Sequence, residues 1–530
     1  MRRHASLFYP ILFAVALVLG VAARAAGQFS GVGLAQVTVT VALVTALLLA
    51  LVWAIVRLVV RTERAAPLAA VLTMVVVAWI FFYVPLQNAA SLITYRGSRD
   101  VVLLPLGAVA TIGLVVWLLR QTTERLVRVN AFMTRFGVVL VALVAVQLAR
   151  SGKTPAAARR STLVRQLAAP VPVTDPVAAA TRNSPKRDIY LIVLDGHPNA
   201  RVVREAMGYD ITPFEDSLRA LGFTIPREMH SNYAQSILSI PSLLNGEHLL
   251  QLAEDVGAKN TSYALPRYLV ENNRTARFLK GQGYKYVLFP SAWWTSTQHS
   301  PLADSEFNAR PDFRLANEVR RTELRVAVLN STLLRYLPEA GIDTLYDFRS
   351  MRGIRQMPAD PAPTFVFAHF LLPHVPYYLD AQCHAVPRPI LPTMEDADPM
   401  QQGPYLAQLR CVDSLVLDLV TTLLRTSRPA PVIIVVGDHG SRFAGPTFVE
   451  RPESVSTALI RERFGAFGAF YVPAGGDSQF TGSVTLVNVM RNVLRYYFGA
   501  DLPPRPDGMY VSGTRPFLYY QVDSTGYLGR

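Results

Sequence analysis

"VIIVVGDHGSRF", residues 432–443, places a run of β-branched apolar residues before a glycine and then sets Asp438 beside His439. A short continuous apolar run bounded by turn residues reads as a strand buried on both faces, as in a parallel sheet. Two strong metal-binding side chains at the end of such a strand call for a chemical explanation. The same pattern recurs upstream in "DIYLIVLDGHPN", residues 188–199, where Ile189 to Leu194 form the apolar run and Asp195 stands at its carboxyl end. "YKYVLF" at 284–289 and "TFVFAHF" at 364–370 read as further strands, with helical patterns between them. This alternation predicts an α/β sandwich with a mostly parallel central sheet, which carries ligands at the carboxyl ends of its strands. In "TPFEDSLRALGF" Thr212, Pro213 and Glu215 form a capping-box pattern with Gly222 as the stop, a structural signal. The glycine-rich "PAGGDSQFTG" lacks the lysine of a nucleotide-binding loop.

The rest of the chain has a different solvent. Of 530 residues 51% are hydrophobic, and the excess lies before about residue 150. Five stretches there, about 6–23, 35–60, 66–86, 101–119 and 131–149, can cross a bilayer, which takes roughly 20 apolar residues at helical rise. Four spans following the first argue against a removable signal peptide. Arg2, Arg3, Arg57, Arg61, Arg64, Arg120, Arg125, Arg128 and Arg135 flank one side, and only Arg24, Arg96 and Arg99 the other. The positive-inside rule then makes the amino terminus cytoplasmic and, after an odd number of spans, delivers the remainder outside. Arg150, Lys153, Arg159 and Arg160 count weakly against this. Residues 1–150 are thus a five-helix membrane domain, 151–187 an Ala/Pro/Arg-rich linker whose "STLVRQLA" suits a surface-lying helix, and 188–530 the exported α/β domain.

A net charge of +14 suggests anionic partners. No basic-aromatic module for nucleic acid is visible, so an anionic lipid surface fits better. Cys383 and Cys411 both fall in the exported part, where a disulfide between them would persist and constrain the unfolded chain by roughly 3 kcal/mol.

Asp195, Asp438, His439 and the hydroxyls of "SNYAQSILSIPSLLNG", residues 231–246, converge in this reading on one divalent cation, Zn²⁺ or Mn²⁺. Such an ion lowers the pKa of a coordinated hydroxyl and makes it a nucleophile. "LIVLDGHP", "SILSIPSLLNG", "HFLLPHVPYYLD" and "GDHGSRF", in that order after apolar spans, resemble the sulfatase-like membrane branch of the alkaline phosphatase superfamily, which includes lipoteichoic acid synthases and phosphoethanolamine transferases. The resemblance implies that Asp195, Asp438 and His439 are metal ligands and that Ser236, ten residues before Gly246, is both nucleophile and fourth ligand. Ser239 matches a second hydroxyl position and is the alternative nucleophile. His374 matches a histidine that contacts the transferred group or a second metal, while His197 and Arg442 are further substrate-binding candidates. His369 reads as a core residue, and Tyr377 and Tyr378 as pocket walls or packing. Pro241 disfavours a helix running through it and suggests a start near Ser239.

The sulfatase signature is absent. Counted from Ser236 the third residue is Leu238 where proline is required, and counted from Ser239 the arginine position holds Leu243. A phospho-group transferase using a membrane lipid donor and a glycan or lipid acceptor is therefore favoured. A hydrolase (phosphodiesterase, phosphatase or sulfatase) and a non-catalytic membrane scaffold are the alternatives.

Overall fold

The computed structural model describes residues 7–24, 31–60, 62–151, 154–292, 297–307, 324, 328–329, 331–336, 346–390, 401–445, 455–513 and 515–522, apart from 91–98. Arg2, Arg3, Arg61, Arg96 and Lys153, which entered the orientation reading, lie outside the described residues. The chain divides into two compact units, Met1–Lys153 with Leu315–Ile342, and Thr154–Arg314 with Asp343–Arg530.

The first unit contains helices α1 (Tyr9–Arg24), α2 (Gly31–Val59), α3 (Ala65–Ala90), α4 (Arg99–Leu119) and α5 (Thr123–Ser151). Four of them, α2 to α5, contain stretches long and apolar enough to cross a membrane. The count of five spans is not reached on length: α1 has 16 residues, about 24 Å at helical rise against a hydrocarbon core of about 30 Å. Helix α1 packs on α2, α3 and α5 and buries Tyr9, Phe13, Val18 and Ala22. The longer helices instead present aliphatic side chains outward, Leu47 at 70% exposure and Leu143 at 63%. Polar contacts join the helices, from Trp79 Nε1 to Thr111 Oγ1 at 2.8 Å and from Asn130 Nδ2 to the Pro67 carbonyl at 3.1 Å. Such bonds have no water to compete with in an apolar solvent.

In the second unit, strands β1 (Ile189–Asp195), β2 (Lys285–Phe289), β3 (Ser305–Glu306), β4 (Thr364–Pro373), β5 (Val432–Gly437) and β6 (Gly468–Tyr471) form one sheet in the order β3-β2-β4-β1-β5-β6. Neighbours are parallel except β5 and β6. Every residue of β1, β4 and β5 is buried, which is why these segments read as unbroken apolar runs. Strand β6 was not legible, because its four residues sit among Gly465 and Gly468 with no usable period.

Helices α6 (Ser236–Asn245), α7 (Gln402–Thr426), α8 (Thr457–Phe464) and α9 (Leu486–Phe498) belong to this unit. Leu243 and Leu244 of α6 and Val489, Met490 and Val493 of α9 share one core with Leu191, Val193, Ile434 and Val436. Cys383 is bonded to Cys411 of α7.

Three sequence expectations need correction. Helix α6 begins at Ser236 and runs through Pro241; the proline denies the Ile237 carbonyl its usual partner, but Ile237 to Asn245 are all buried and packing outweighs that loss. The apolar face of the segment "STLVRQLA" is turned to protein. Ser161 caps the helix Thr162–Ala168, whose Leu163, Val164 and Leu167 pack against Tyr233, Ile237 and Leu238 of the second unit. The capping box at Thr212 is also absent: Asp210 Oδ1 accepts from the Thr212 amide at 3.0 Å and hydroxyl at 2.6 Å, while Glu215 pairs with Arg219 at 3.0 Å.

Candidate metal centre and nucleophile

The sheet register builds the site. Leu194 pairs with Phe370 on one side and Gly437 on the other, so β1, β4 and β5 end together and Asp195, His374 and Asp438 leave the sheet at one edge. A Cβ on Gly437 would collide with the His197 carbonyl oxygen, and one on Gly440 with that of Glu462. The glycines on either side of Asp438 and His439 are thus places where backbone passes too close for any side chain.

Asp438 Oδ1 accepts from the amides of Gly196 and His439, each at 2.9 Å, and its carbonyl accepts from the Ser239 hydroxyl at 2.7 Å. Ser239 thereby ties α6 to the loop that carries Asp438. His439 Nδ1 meets the Gly440 carbonyl at 2.8 Å; a carbonyl can only accept, so Nδ1 carries the proton and Nε2 presents its lone pair. That Nε2 lies 3.2 Å from Ser236 Oγ and 3.6 Å from both Asp195 Oδ1 and Asp438 Oδ2.

The residues fit a cation. Asp195 Oδ1 and Asp438 Oδ2 are buried and, among the described residues, accept no hydrogen bond. Unpaired carboxylate oxygens at such depth are costly. One atom each from Asp195, Asp438 and His439 lie within 4.8 Å of one another. Ligands held tetrahedrally at about 2.0–2.1 Å stand roughly 3.3–3.4 Å apart, close to the separations around His439 Nε2.

The electrostatics agree. Burial raises Asp195 well above the usual carboxylate range, and repulsion from Asp438 adds to it, while Arg442 and Arg463 oppose it. Burial raises Asp438 as well. His439 is held well below the ordinary imidazole value by burial and then by Arg463, which keeps it neutral. A divalent ion would offset what burial costs the two carboxylates.

Ser236 opens α6, and partial positive charge at a helix amino terminus favours an alkoxide and a bound phosphate or sulfate. His374 is tied to the site through its amide, which donates to the Asp195 carbonyl at 3.1 Å. Its ring is depressed well below its usual value by burial and then by Arg442, and its Nδ1 meets the Val375 carbonyl at 2.6 Å. Gln408 of α7 holds the loop presenting His374: its Nε2 donates to the carbonyls of Pro373, His374 and Pro376 at 3.1–3.2 Å, and its Oε1 accepts from the Tyr378 amide at 3.0 Å.

His197 is not brought to the site. Its Nε2 lies 2.9 Å from Asp413 Oδ1 and its Nδ1 3.0 Å from the Pro198 carbonyl, and the ring packs on Phe467 with centroids 4.7 Å apart. A buried ring with both nitrogens engaged has nothing left for a substrate. His369, read as a core residue, is indeed buried, yet its Nε2 stands 3.7 Å from Asp195 Oδ2 and burial lowers it to about 4. Tyr377 and Tyr378 pack, the latter donating to Asp347 Oδ2 at 3.1 Å.

Sequence reasoning missed Glu462 and Arg463. Buried Glu462 accepts from the Ser441 hydroxyl and the Phe443 amide, each at 2.6 Å, and from the Ala444 amide. Arg463 donates to the carbonyls of Ser441 and Ala234, joining the loop after Asp438 and His439 to the segment leading into α6. Nothing in "RERF" marks them, because charged residues near a helix end ordinarily face water.

No family model and no curated protein matches this chain. Solved structures do resemble it. The C-terminal periplasmic domain of EcEptC from Escherichia coli, in complex with Zn, is 12% identical with a TM-score of 0.43 over 64% of this chain and 92% of that one. A protein in the alkaline phosphatase superfamily from Vibrio parahaemolyticus is 13% identical with a TM-score of 0.38 over 62% and 73%. The lipoteichoic acid synthase LtaP from Listeria monocytogenes is 11% identical with a TM-score of 0.36 over 68% and 86%. With identities this low, the functional reading rests on the geometry of the site.

Proposed function

We propose that the chain is a membrane-anchored, metal-dependent phospho-group transferase with Ser236 as nucleophile, its catalytic unit on the outer face of a bacterial inner membrane. The observation that carries this reading is the meeting of Ser236 Oγ with His439 Nε2 at 3.2 Å, beside two buried carboxylate oxygens without hydrogen bonds. Asp195, Asp438, His439 and Ser236 would hold one Zn²⁺ or Mn²⁺, which when bound supplies Lewis acidity to the serine hydroxyl and to the phosphoryl oxygens.

The chain's own residues do the rest. The amino terminus of α6 and the Arg442 guanidinium orient the anionic head group of a lipid donor. Ser236 Oγ attacks phosphorus, the bond from phosphorus to the diacylglycerol oxygen breaks, and the hydroxyl proton leaves with diacylglycerol as its alcohol. His374 faces the transferred group as a neutral imidazole. An acceptor hydroxyl on a glycan or lipid then attacks the phosphoserine and restores Ser236. Carriage of catalytic unit and membrane helices on one chain raises the effective concentration of lipid donors.

The test is release of head group from labelled membrane lipids by the purified full chain, with and without added Zn²⁺ or Mn²⁺. Metal-dependent release, and a phosphorylated Ser236 that accumulates until an acceptor is supplied, support transfer. Release to water at an undiminished rate without acceptor assigns hydrolysis instead, and a metal-free, inactive protein assigns a scaffold.

A further inference from the structure

The loop that carries His374 runs from Pro373 to Pro376, and its two prolines have no amide hydrogen with which to tie it down. A side chain does so instead. Gln408 of α7 is fully buried; its Nε2 donates to the carbonyls of Pro373, His374 and Pro376, and its Oε1 accepts from the amides of Tyr378 and Leu379 at 3.0 and 3.3 Å. A primary amide has two N–H donors and two acceptor lone pairs, so the whole polar capacity of Gln408 is spent on residues 373–379. The loop continues into a two-stranded antiparallel ribbon, Tyr377–Leu379 against Ala385–Ile390. Asp380 closes its turn: Oδ1 accepts from the amides of Gln382 at 2.9 Å and His384 at 2.8 Å, and the carbonyl from the Cys383 amide at 3.1 Å. Cys383 of that turn is bonded to Cys411, three residues beyond Gln408 and therefore on the same face of α7. Tyr405, three residues before Gln408, donates to the Gly196 carbonyl at 2.9 Å. One face of α7 thus grips the backbone after Asp195, the His374 loop and the turn of the ribbon.

We propose that Gln408 is a positioning residue for the transfer reaction, seating the loop that brings the His374 ring to the transferred group, and that the Cys383–Cys411 bond keeps this loop on its seat. The role rests on transfer through Ser236 with His374 facing the group. In Gln408→Leu three carbonyls and two amides lose their partner in a place closed to water, and the loop leaves α7 to recover hydrogen bonds. Asp195, Asp438 and His439 follow β1 and β5 and make no bond to Gln408, so the metal centre outlasts the loss. Without the disulfide the ribbon is held to this face of α7 by Gln408 alone.

The experiment uses the purified full chain with Zn²⁺ and labelled membrane lipids. Gln408→Leu lowers kcat for head-group release at least about tenfold, while KM for the lipid and the Zn²⁺ bound per chain stay at their wild-type values. In a His374→Ala chain the same substitution costs nothing further, because Gln408 acts through that ring. Equal kcat for Gln408→Leu and wild type, or the same loss in the His374→Ala chain, overturns the proposal. Cys383→Ser with Cys411→Ser leaves Gln408 in place and covers misfolding of the leucine variant: kcat falls about threefold, again only where His374 is present, and an unchanged kcat overturns the part assigned to the bond. Amide hydrogen exchange reads the seating without turnover. The peptide carrying Tyr378 and Leu379 exchanges faster in both variants while that of β5 keeps its wild-type rate; an unmoved Tyr378 peptide overturns the proposal. A wild type that releases no head group ends the transferase reading and this role with it, whereas release that survives Gln408→Leu ends this role alone.

Discussion

The two units use the same aliphatic residues in opposite ways. In the helical first unit Leu47 and Leu143 point outward, an arrangement that costs nothing where the solvent is lipid. In the second unit the β-branched residues of β5 are sealed between neighbouring strands and helices, and buried polar groups are costly there unless they are paired. The comparison teaches that burial in the catalytic unit is what gives the site its character: the oxygens of Asp195 and Asp438 would be unremarkable at a wet surface.

That contrast can be broken most sharply at the nucleophile. Ser236→Ala is expected to lower metal-dependent head-group release at least about a thousandfold, with circular dichroism unchanged; equal release by variant and wild type would end the assignment. Next comes the core. Ile434→Ala, at a fully buried strand position, should cost about 2–5 kcal/mol of stability by denaturant unfolding of the catalytic unit, whereas Leu47→Ala in the membrane unit should change stability by under about 1 kcal/mol. Similar losses at both positions would show that the helices, too, depend on aliphatic burial.

The disulfide tests the catalytic unit at its margin. Replacing Cys383 and Cys411 together by serine should lower stability by roughly 3 kcal/mol, with the membrane unit's thermal transition unmoved. The smallest expected effect is on pH. A carboxyl whose pKa is raised by folding binds its proton more tightly folded than unfolded, so it adds stability as pH falls below its folded pKa and loses it as pH rises through that value. Asp195 and Asp438 are both raised by burial. Chelated protein should therefore melt a few degrees higher at mildly acidic pH than at neutral pH, relative to an Asp195→Asn, Asp438→Asn variant. Saturating Zn²⁺ should remove the difference, since the ion takes over the proton's role. A wild type that tracks the variant at every pH would show that folding does not raise the pKa values of the pair.

Much of this was legible in residue order. The strands β1, β2, β4 and β5 announce themselves because parallel strands buried on both faces are continuous apolar runs, and the acidic and imidazole residues stand directly after two of them. His197 misled, because a histidine two residues from a candidate ligand says nothing about the direction of its ring, and the Asp413 that captures it comes from α7. Glu462, Arg463 and Gln408 were invisible for the converse reason: each acts on backbone groups of a distant loop, and such bonds leave no period or motif.

By itself, then, the sequence determined which segments seek lipid and which seek each other, since hydropathy and its period are local properties of the chain. It also determined which side chains could serve as ligands and nucleophile. Only the tertiary structure decided that Ser236, Asp195, Asp438 and His439 meet at one point and that α6 tolerates Pro241. Those outcomes depend on strand register and on packing between residues far apart in the chain, where proximity is created by folding.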